Sequence, residues 1–175
     1  MCTLFPDDLL RDAERLLSEL QQRSLLLAVA ESCTGGLVSG LLTEIPGASA
    51  VLERGFVTYS NAAKEELLGV DASLLARYGA VSEEVARAMA DGALARAGAD
   101  VTVVVTGIAG PDGGNTEKPV GLVYIAGASK GSPTLCHEYR FGDLGRRPIR
   151  LASTRKAIAM VGQVLTKSPP HRTAT

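Results

Sequence analysis

Two short apolar runs constrain the fold of this 175-residue chain more than any other feature. Residues 24–30 read SLLLAVA and residues 101–108 read VTVVVTGI, and the second run is rich in β-branched residues. Such runs are typical of strands that helices cover on both faces. Helical patterns alternate with strand patterns through the first two thirds of the chain, and a hairpin pattern follows. The sequence therefore predicts an α/β fold, a three-layer α/β/α sandwich around a mixed, mostly parallel sheet.

The other elements are predicted from periodicity, capping residues and turn residues. We expect Asn61 to cap one helix and Gly69 to end it. A single domain is predicted over residues 1–165, followed by a polar C-terminal tail over residues 166–175. The further strands are expected over residues 54–60, 120–128 and 134–141, and the helices over residues 7–22, 37–43, 62–68, from 71, 82–97 and 148–165.

Charge and aromatic content argue against two classes of protein. The chain has 18 Lys and Arg residues against 19 Asp and Glu, a net charge of -1, so no bulk positive field exists to hold nucleic acid by its phosphates. Aromatic residues make up 4% of the chain, too few for a platform that stacks single-stranded bases. No apolar run approaches the roughly 20 residues that a membrane helix needs. We therefore expect neither a nucleic-acid partner nor a membrane partner.

Cysteine and histidine content indicates a reducing compartment and no metal site. Cys2, Cys33 and Cys136 are widely spaced, odd in number and without a Cys-x-x-Cys pair. The histidines, His137 and His171, do not complete the ligand set of a structural zinc ion with them. The first ten residues also lack the basic and apolar regions of a signal peptide. The sequence predicts a cytoplasmic protein without a metal.

The turn after the first apolar run could expose a reactive side chain. Ser32 lies there, at a strand-to-helix turn that continues through Gly35 and Gly36. Such a turn presents a nucleophile, an oxyanion hole or an anion site. In the alternative interpretation, Ser32 or Thr34 only caps the following helix.

A nucleophilic serine needs a base, and lysine is the candidate that the sequence offers. Lys64 follows the end of a predicted strand, where burial would lower its pKa into the range useful for a base. The alternative is an exposed helix lysine paired with a glutamate. Cys33 is a rival nucleophile near a helix N-terminus, although an inert buried thiol is the more ordinary case.

A second glycine-rich loop and a run of arginines could bind a ligand. Residues 106–114 follow the second apolar run, and their glycines permit a close backbone approach to a ligand. Their spacing is neither a dinucleotide-binding nor a Walker fingerprint. Positive charge also gathers near the start of the last predicted helix, where Arg146 and Arg150 could bind a phosphate or carboxylate.

Four motifs follow one another along the chain. They are AESCTGG at residues 30–36, ERGFVTYSN at 53–61 with Lys64, GAVSE at 79–83, and TGIAGPDGG at 106–114 with KPVG at 118–121. In this order they strongly resemble the C-terminal domain family of the competence/damage-inducible protein CinA. The resemblance covers nearly the whole chain, although the larger CinA proteins carry a further N-terminal domain.

The resemblance implies an amidohydrolase that converts nicotinamide mononucleotide to nicotinate mononucleotide and ammonia in pyridine-nucleotide salvage. It implies Ser32 as nucleophile and Lys64 as base, with Tyr59 and Thr106 orienting the lysine or sharing its protons. It also implies a homo-oligomer, and no cofactor is expected. We expect backbone N–H groups near Gly35 and Gly36 or at Gly107 to stabilise the oxyanion, and Arg146 or Arg150 to bind the phosphate. The full set of expected substrate-binding residues is Thr34, Gly35, Gly36, Asn61, Gly107, Gly110, Gly113, Arg146 and Arg150. The alternative is a non-catalytic nucleotide-binding or regulatory module linked to competence or DNA damage.

Overall fold

The computed structural model describes residues 4–167, which form five strands and six α-helices. A short 3-10 helix, Ala48–Ala50, precedes the second strand. The strands are β1 (Leu27–Glu31), β2 (Leu52–Val57), β3 (Val101–Gly107), β4 (Leu122–Ser129) and β5 (Leu135–Arg140). The helices are α1 (Asp7–Gln22), α2 (Leu37–Thr43), α3 (Asn61–Leu68), α4 (Ala72–Tyr78), α5 (Glu83–Ala97) and α6 (Arg146–Lys167).

The five strands form one mixed sheet in the order β2-β1-β3-β4-β5. Strand β1 pairs parallel with β2 and with β3, whereas β3, β4 and β5 are joined by antiparallel pairings. The parallel half forms because helical connections join its strands, and the antiparallel half includes the β4–β5 hairpin. The prediction of an α/β sandwich around a mixed sheet is confirmed.

Helices cover both faces of the sheet, as the two apolar runs predict. One core packs α1, α2 and α6 against Val29 and Val103, and the other packs α3, α4 and α5 against Ala30 and Val104. Neighbouring residues of β1 and β3 thus point into opposite cores, and all of them except the terminal Gly107 are buried. Among residues 4–167, none of the helices combines the length and the apolar character that crossing a membrane requires.

Several predicted boundaries differ from the structure; the second strand, for example, is Leu52–Val57 rather than residues 54–60. Ser60 caps α3 by accepting a hydrogen bond from the Ala63 N–H at 3.0 Å, so the prediction that Asn61 is the cap is wrong. Strand β1 begins at Leu27, because residues 23–25 are still bound to the end of α1. Helix α6 begins two residues earlier than predicted and continues through Lys167. Residues 168–175 of the predicted tail lie outside the described residues.

The parallel half of the sheet gathers three loops at one edge. Strands β1, β2 and β3 run in the same direction, so their carboxyl ends at Glu31, Val57 and Gly107 lie side by side. Ligands bind at this edge in open α/β sheets. The loops that follow these strands carry Ser32, the segment leading to Lys64, and the second glycine-rich loop.

Candidate active site

Ser32 is held at the end of β1 by the neighbouring strand. Its N–H donates to the carbonyl of Val105 at 2.9 Å, which extends the pairing with β3 by one residue. Gly35 and Gly36, with φ angles of 57° and 95°, then turn the chain into α2. These left-handed conformations favour glycine, which explains the paired glycines after the serine.

The side chain of Glu31 fixes this turn from inside the protein. One of its carboxylate oxygens accepts from the N–H groups of Gly36 and Val38, both at 3.0 Å. The other accepts from the N–H and the hydroxyl of Ser39, at 2.9 and 2.8 Å. A fully buried carboxylate therefore binds the otherwise unpaired donors at the start of α2, where the helix dipole also favours negative charge. The sequence patterns did not single out Glu31 as a site residue.

We expect Glu31→Ala to lower the free energy of unfolding by about 3 kcal/mol or more, because it leaves several buried donors without an acceptor. Urea unfolding followed by circular dichroism measures this loss. Glu44→Ala, at the exposed end of the same helix, is the matched control, and its unfolding midpoint is expected to stay near that of the wild type. Similar midpoints for both variants would contradict the role given to Glu31.

Lys64 reaches Ser32 through the interior of the protein. Its side chain is 1% exposed, and Nζ lies 3.2 Å from Ser32 Oγ, within hydrogen-bond distance. Nζ also donates to the carbonyl of Thr58 at 2.7 Å, which fixes the amine beside the serine. Burial lowers the pKa of Lys64 below the ordinary value of 10.5, because a low-dielectric surrounding disfavours the charged form. The alternative of an exposed, ion-paired lysine does not describe this residue.

Cys33 does not fit the part of a rival nucleophile. Its thiol is buried, and burial raises the pKa of Cys33 to about 12. The thiolate is the reactive form of cysteine, so this thiol stays protonated and unreactive near neutral pH. The adjacent serine, with a lysine amine in contact, is the better nucleophile.

A cavity of about 260 Å³ opens over the Ser32–Lys64 pair. Predicted site residues that line it share one position in the fold, at the carboxyl end of the parallel strands. They are Ser32, Tyr59, Lys64, Thr106, Gly107, Gly110, Gly113 and Arg146. Its other lining residues are Cys33, Ala80, Val81, Ile108, Ala109 and Asp112.

Two hydroxyl groups of the cavity have partners other than the lysine. Tyr59 is 60% exposed, and its hydroxyl accepts a hydrogen bond from Arg146 Nη2 at 3.0 Å. Thr106 Oγ1 donates to the Ala80 carbonyl at 2.7 Å, which attaches β3 to the far wall of the cavity. Among the described residues, neither hydroxyl hydrogen-bonds to Lys64. The expected orienting of the lysine is therefore done by the Thr58 carbonyl, a backbone group.

The two candidate arginines occupy different places. Arg146 lines the cavity, where its guanidinium donates to the Gly110 carbonyl at 2.9 Å as well as to Tyr59. Arg150 lies behind the turn, outside the cavity lining, and donates to the carbonyls of Cys33 and Thr34 at 3.1 and 2.7 Å. Arg150 therefore holds the Ser32 turn from outside the cavity, whereas Arg146 faces the cavity itself.

The remaining predicted binding residues do not line the cavity. The N–H of Gly35 donates to the Ser32 carbonyl and that of Gly36 to Glu31. Both donors thus have acceptors within the protein, and stabilisation of an oxyanion by N–H groups near Gly35 and Gly36 or at Gly107 stays a prediction. Thr34 is fully buried, and its hydroxyl has no partner among residues 4–167. Asn61 is exposed on the first turn of α3.

Lys118 is a second residue of the site that sequence patterns missed. Its Nζ donates to the Val81 carbonyl at 2.8 Å and also to the carbonyl of Tyr78. These contacts hold the segment between α4 and α5, which supplies Ala80 and Val81 to the cavity wall. Within the described part of the chain, no three His, Cys, Asp or Glu side chains lie close enough together to hold a metal ion.

Comparison with protein-family models matches residues 11–165 to the CinA C-terminal domain. Several curated relatives are called CinA-like proteins. The one from Syntrophus aciditrophicus is 51% identical over 146 residues, which are 83% of this chain and 34% of that protein. The chain thus spans about a third of the length of these relatives. A shorter relative from Enterobacter agglomerans, nicotinamide-nucleotide amidohydrolase PncC, is 55% identical over 75% of this chain and 80% of its own length.

Solved structures agree with the family model. The crystal structure of competence/damage inducible protein CihA from Agrobacterium tumefaciens is 50% identical, with a TM-score of 0.92 over 94% of this chain and 99% of that one. A CinA superfamily protein from Klebsiella pneumoniae is 34% identical, with a TM-score of 0.85 over 90% of this chain and 98% of its own.

Proposed function

This chain belongs to the CinA C-terminal domain family, and we propose that it hydrolyses the carboxamide of nicotinamide mononucleotide to give nicotinate mononucleotide and ammonia. The observation that carries the proposal is the buried Lys64 Nζ, 3.2 Å from Ser32 Oγ at the cavity. A serine beside a lysine of lowered pKa is suited to acyl transfer. The name of the Enterobacter agglomerans relative supports the choice of substrate.

Acylation begins with neutral Lys64, which takes the Ser32 hydroxyl proton while Oγ attacks the carboxamide carbon. The new C–O bond makes a tetrahedral intermediate with a negatively charged oxygen. Cys33 follows Ser32 directly in the chain and lines the cavity, so its backbone N–H adjoins the nucleophile. We assign it as one donor to this oxygen, an effect often worth about 3–4 kcal/mol. Gly107, which also lines the cavity, stays the second candidate.

The leaving group and the water complete the cycle through the same lysine. Protonated Lys64 gives its proton to the departing nitrogen, so the C–N bond breaks, ammonia leaves and the amine is neutral again. A water molecule then attacks the ester carbonyl while Lys64 takes a proton from it. That proton returns to Ser32 Oγ as the ester bond breaks, and the acid product is released.

The phosphate of the nucleotide is the feature that the cavity recognises through Arg146. Nicotinamide and its mononucleotide carry the same reacting amide, so selection between them comes from the ribose and the phosphate. A guanidinium binds phosphate through paired hydrogen bonds. Arg146 is the arginine that lines the cavity over Ser32.

We expect Arg146→Ala to lower kcat/KM for nicotinamide mononucleotide about 10- to 150-fold, the cost of one lost hydrogen bond to a charged group. The loss for nicotinamide riboside, which lacks the phosphate, should be much smaller. Arg147→Ala is the matched control, because Arg147 is exposed and does not line this cavity. Equal losses of kcat/KM on both substrates would instead indicate that Arg146 only supports the Gly110 loop.

A product assay tests the proposed reaction itself. The full chain is incubated with nicotinamide mononucleotide, and nicotinate mononucleotide is quantified by chromatography beside an enzymatic ammonia assay. We expect the two products in equal amounts. Tight binding of the nucleotide without either product would favour the non-catalytic module. The cytoplasmic location and the homo-oligomer stay predictions, and light scattering with size-exclusion chromatography checks the second.

A further inference from the structure

Asp112 is a charged residue of the cavity that the reaction described above does not use. It lies in the loop after β3 and contributes to the same cavity wall as Arg146. Within residues 4–167 its carboxylate has neither a hydrogen-bond partner nor an ion-pair partner. Most exposed carboxylates need no explanation, but this one lines the site of a phosphorylated substrate.

The loop around Asp112 is fixed by close packing on both sides. Gly110 and Gly114 lie so close to Val120 that a Cβ atom at either position would come within 2.7 Å of it. The Gly110 carbonyl is also bound to Arg146. These contacts hold the backbone on either side of Asp112, so the residue stays at the cavity wall.

A carboxylate in this cavity repels the substrate's phosphate, and only attraction to a positive part of the substrate can offset that repulsion. Nicotinamide mononucleotide has such a part, because the ring nitrogen that bears the ribose makes the pyridine ring a cation. The carboxamide is attached to that ring, so a substrate poised at Ser32 Oγ brings the charged ring into the same cavity. The negative Asp112 and the positive Arg146 then match the two opposite charges of the ligand.

We propose that Asp112 recognises the cationic ring, and that it makes the site selective for oxidised, positively charged pyridine nucleotides over their neutral dihydropyridine forms. This inference rests on the proposed function, since it takes the ring from that substrate. Asp112 is a specificity-determining residue in this account, and the chemistry at Ser32 does not require it.

Binding measured by calorimetry tests the inference without turnover. The full chain carrying Ser32→Ala is titrated with nicotinamide mononucleotide and with its reduced dihydro form, which keeps the ribose, phosphate and carboxamide but has an uncharged ring. The same titrations are made with Asp112→Asn added. Glu117→Gln is the matched control, because Glu117 is an exposed carboxylate of the same loop outside the cavity lining.

Removing the charge of Asp112 should weaken binding of the oxidised nucleotide about tenfold, as expected for a partly exposed charge pair. Binding of the reduced nucleotide and of both ligands to the Glu117→Gln protein should stay unchanged. The inference is overturned if Asp112→Asn weakens the binding of both ligands equally, as the loss of a contact to the ribose would. It is also overturned if Asp112→Asn leaves the affinity for the oxidised nucleotide unchanged. Failure of the Ser32→Ala protein to bind the oxidised nucleotide at all would contradict the proposed function as well.

Discussion

Ser32→Ala should lower kcat for nicotinamide mononucleotide deamidation by at least about 10³-fold, since it removes the atom that attacks the carboxamide. Nucleotide binding should persist, because the removed hydroxyl is small and the cavity walls stay in place. Ammonia release under saturating substrate measures the first effect, and calorimetry measures the second.

Cys33→Ala is the control for this variant. It changes the neighbouring residue of the same turn, whose thiol stays protonated because burial raises the pKa of Cys33 to about 12. Most of the activity should therefore remain, apart from a modest loss of stability where the buried sulfur is removed. Substantial turnover by Ser32→Ala would show that Ser32 is not the nucleophile. Loss of turnover in a folded Cys33→Ala protein would also contradict this role of Ser32.

Lys64→Met should lower kcat/KM by about 10²- to 10⁴-fold, the usual contribution of a positioned general base. Methionine keeps much of the length and the apolar stem of lysine but can accept no proton from Ser32. The variant also removes the costly burial of an amine, so its free energy of unfolding should not fall with its activity. Thermal unfolding alongside the kinetic assay separates these effects.

The pH profile of the wild type provides a second test of Lys64. The neutral amine is the active form, so kcat/KM should rise with pH as Lys64 loses its proton. Burial lowers the pKa of Lys64 from 10.5, so this rise should be complete at a lower pH than an ordinary lysine allows. In Lys64→Met the residual activity should lack this limb. If kcat/KM of the variant rose with pH in the same way, the rise would come from the titration of a group other than Lys64.

Sequence patterns singled out Ser32 and Lys64 because each residue lies next to a strong local signal. Ser32 follows an apolar run and precedes two glycines, and Lys64 follows the end of a strand. Parallel strands then bring the two residues to one edge of the sheet although 32 positions separate them. The predicted fold put each residue after a strand end, and the structure brings the two side chains together at one cavity.

The contacts that hold the site could not be predicted, because their partners are backbone atoms brought together by the fold. Lys64 is fixed by the carbonyl of Thr58, and Lys118 by carbonyls about 40 residues earlier in the chain. No side-chain pattern marks such acceptors. For the same reason, the sequence could not distinguish Arg146 from Arg150. The two arginines lie one helical turn apart, and they differ in the backbone carbonyls that the fold brings to them.

The hydrogen-bond partners of the Gly35 and Gly36 N–H groups could not be predicted, for a related reason. The N–H of Gly35 donates to the Ser32 carbonyl, whereas the N–H of Gly36 donates to the side chain of Glu31. That buried carboxylate takes the Gly36 donor for the cap of α2. The sequence contains the acid, yet nothing local distinguishes a buried cap from an ordinary exposed glutamate.

Hydroxylamine partitioning tests the central claim, an ester between Ser32 and the nucleotide acyl group, most directly. Turnover of nicotinamide mononucleotide is followed with rising hydroxylamine, measuring ammonia, nicotinate mononucleotide and the corresponding hydroxamate. We predict that hydroxamate replaces the acid product while the ratio of ammonia to total product stays at one, and that Ser32→Ala forms neither product at an appreciable rate. Acid formation that hydroxylamine leaves unchanged, with no hydroxamate at any concentration, would contradict the acyl-enzyme and with it the role of the Ser32–Lys64 pair.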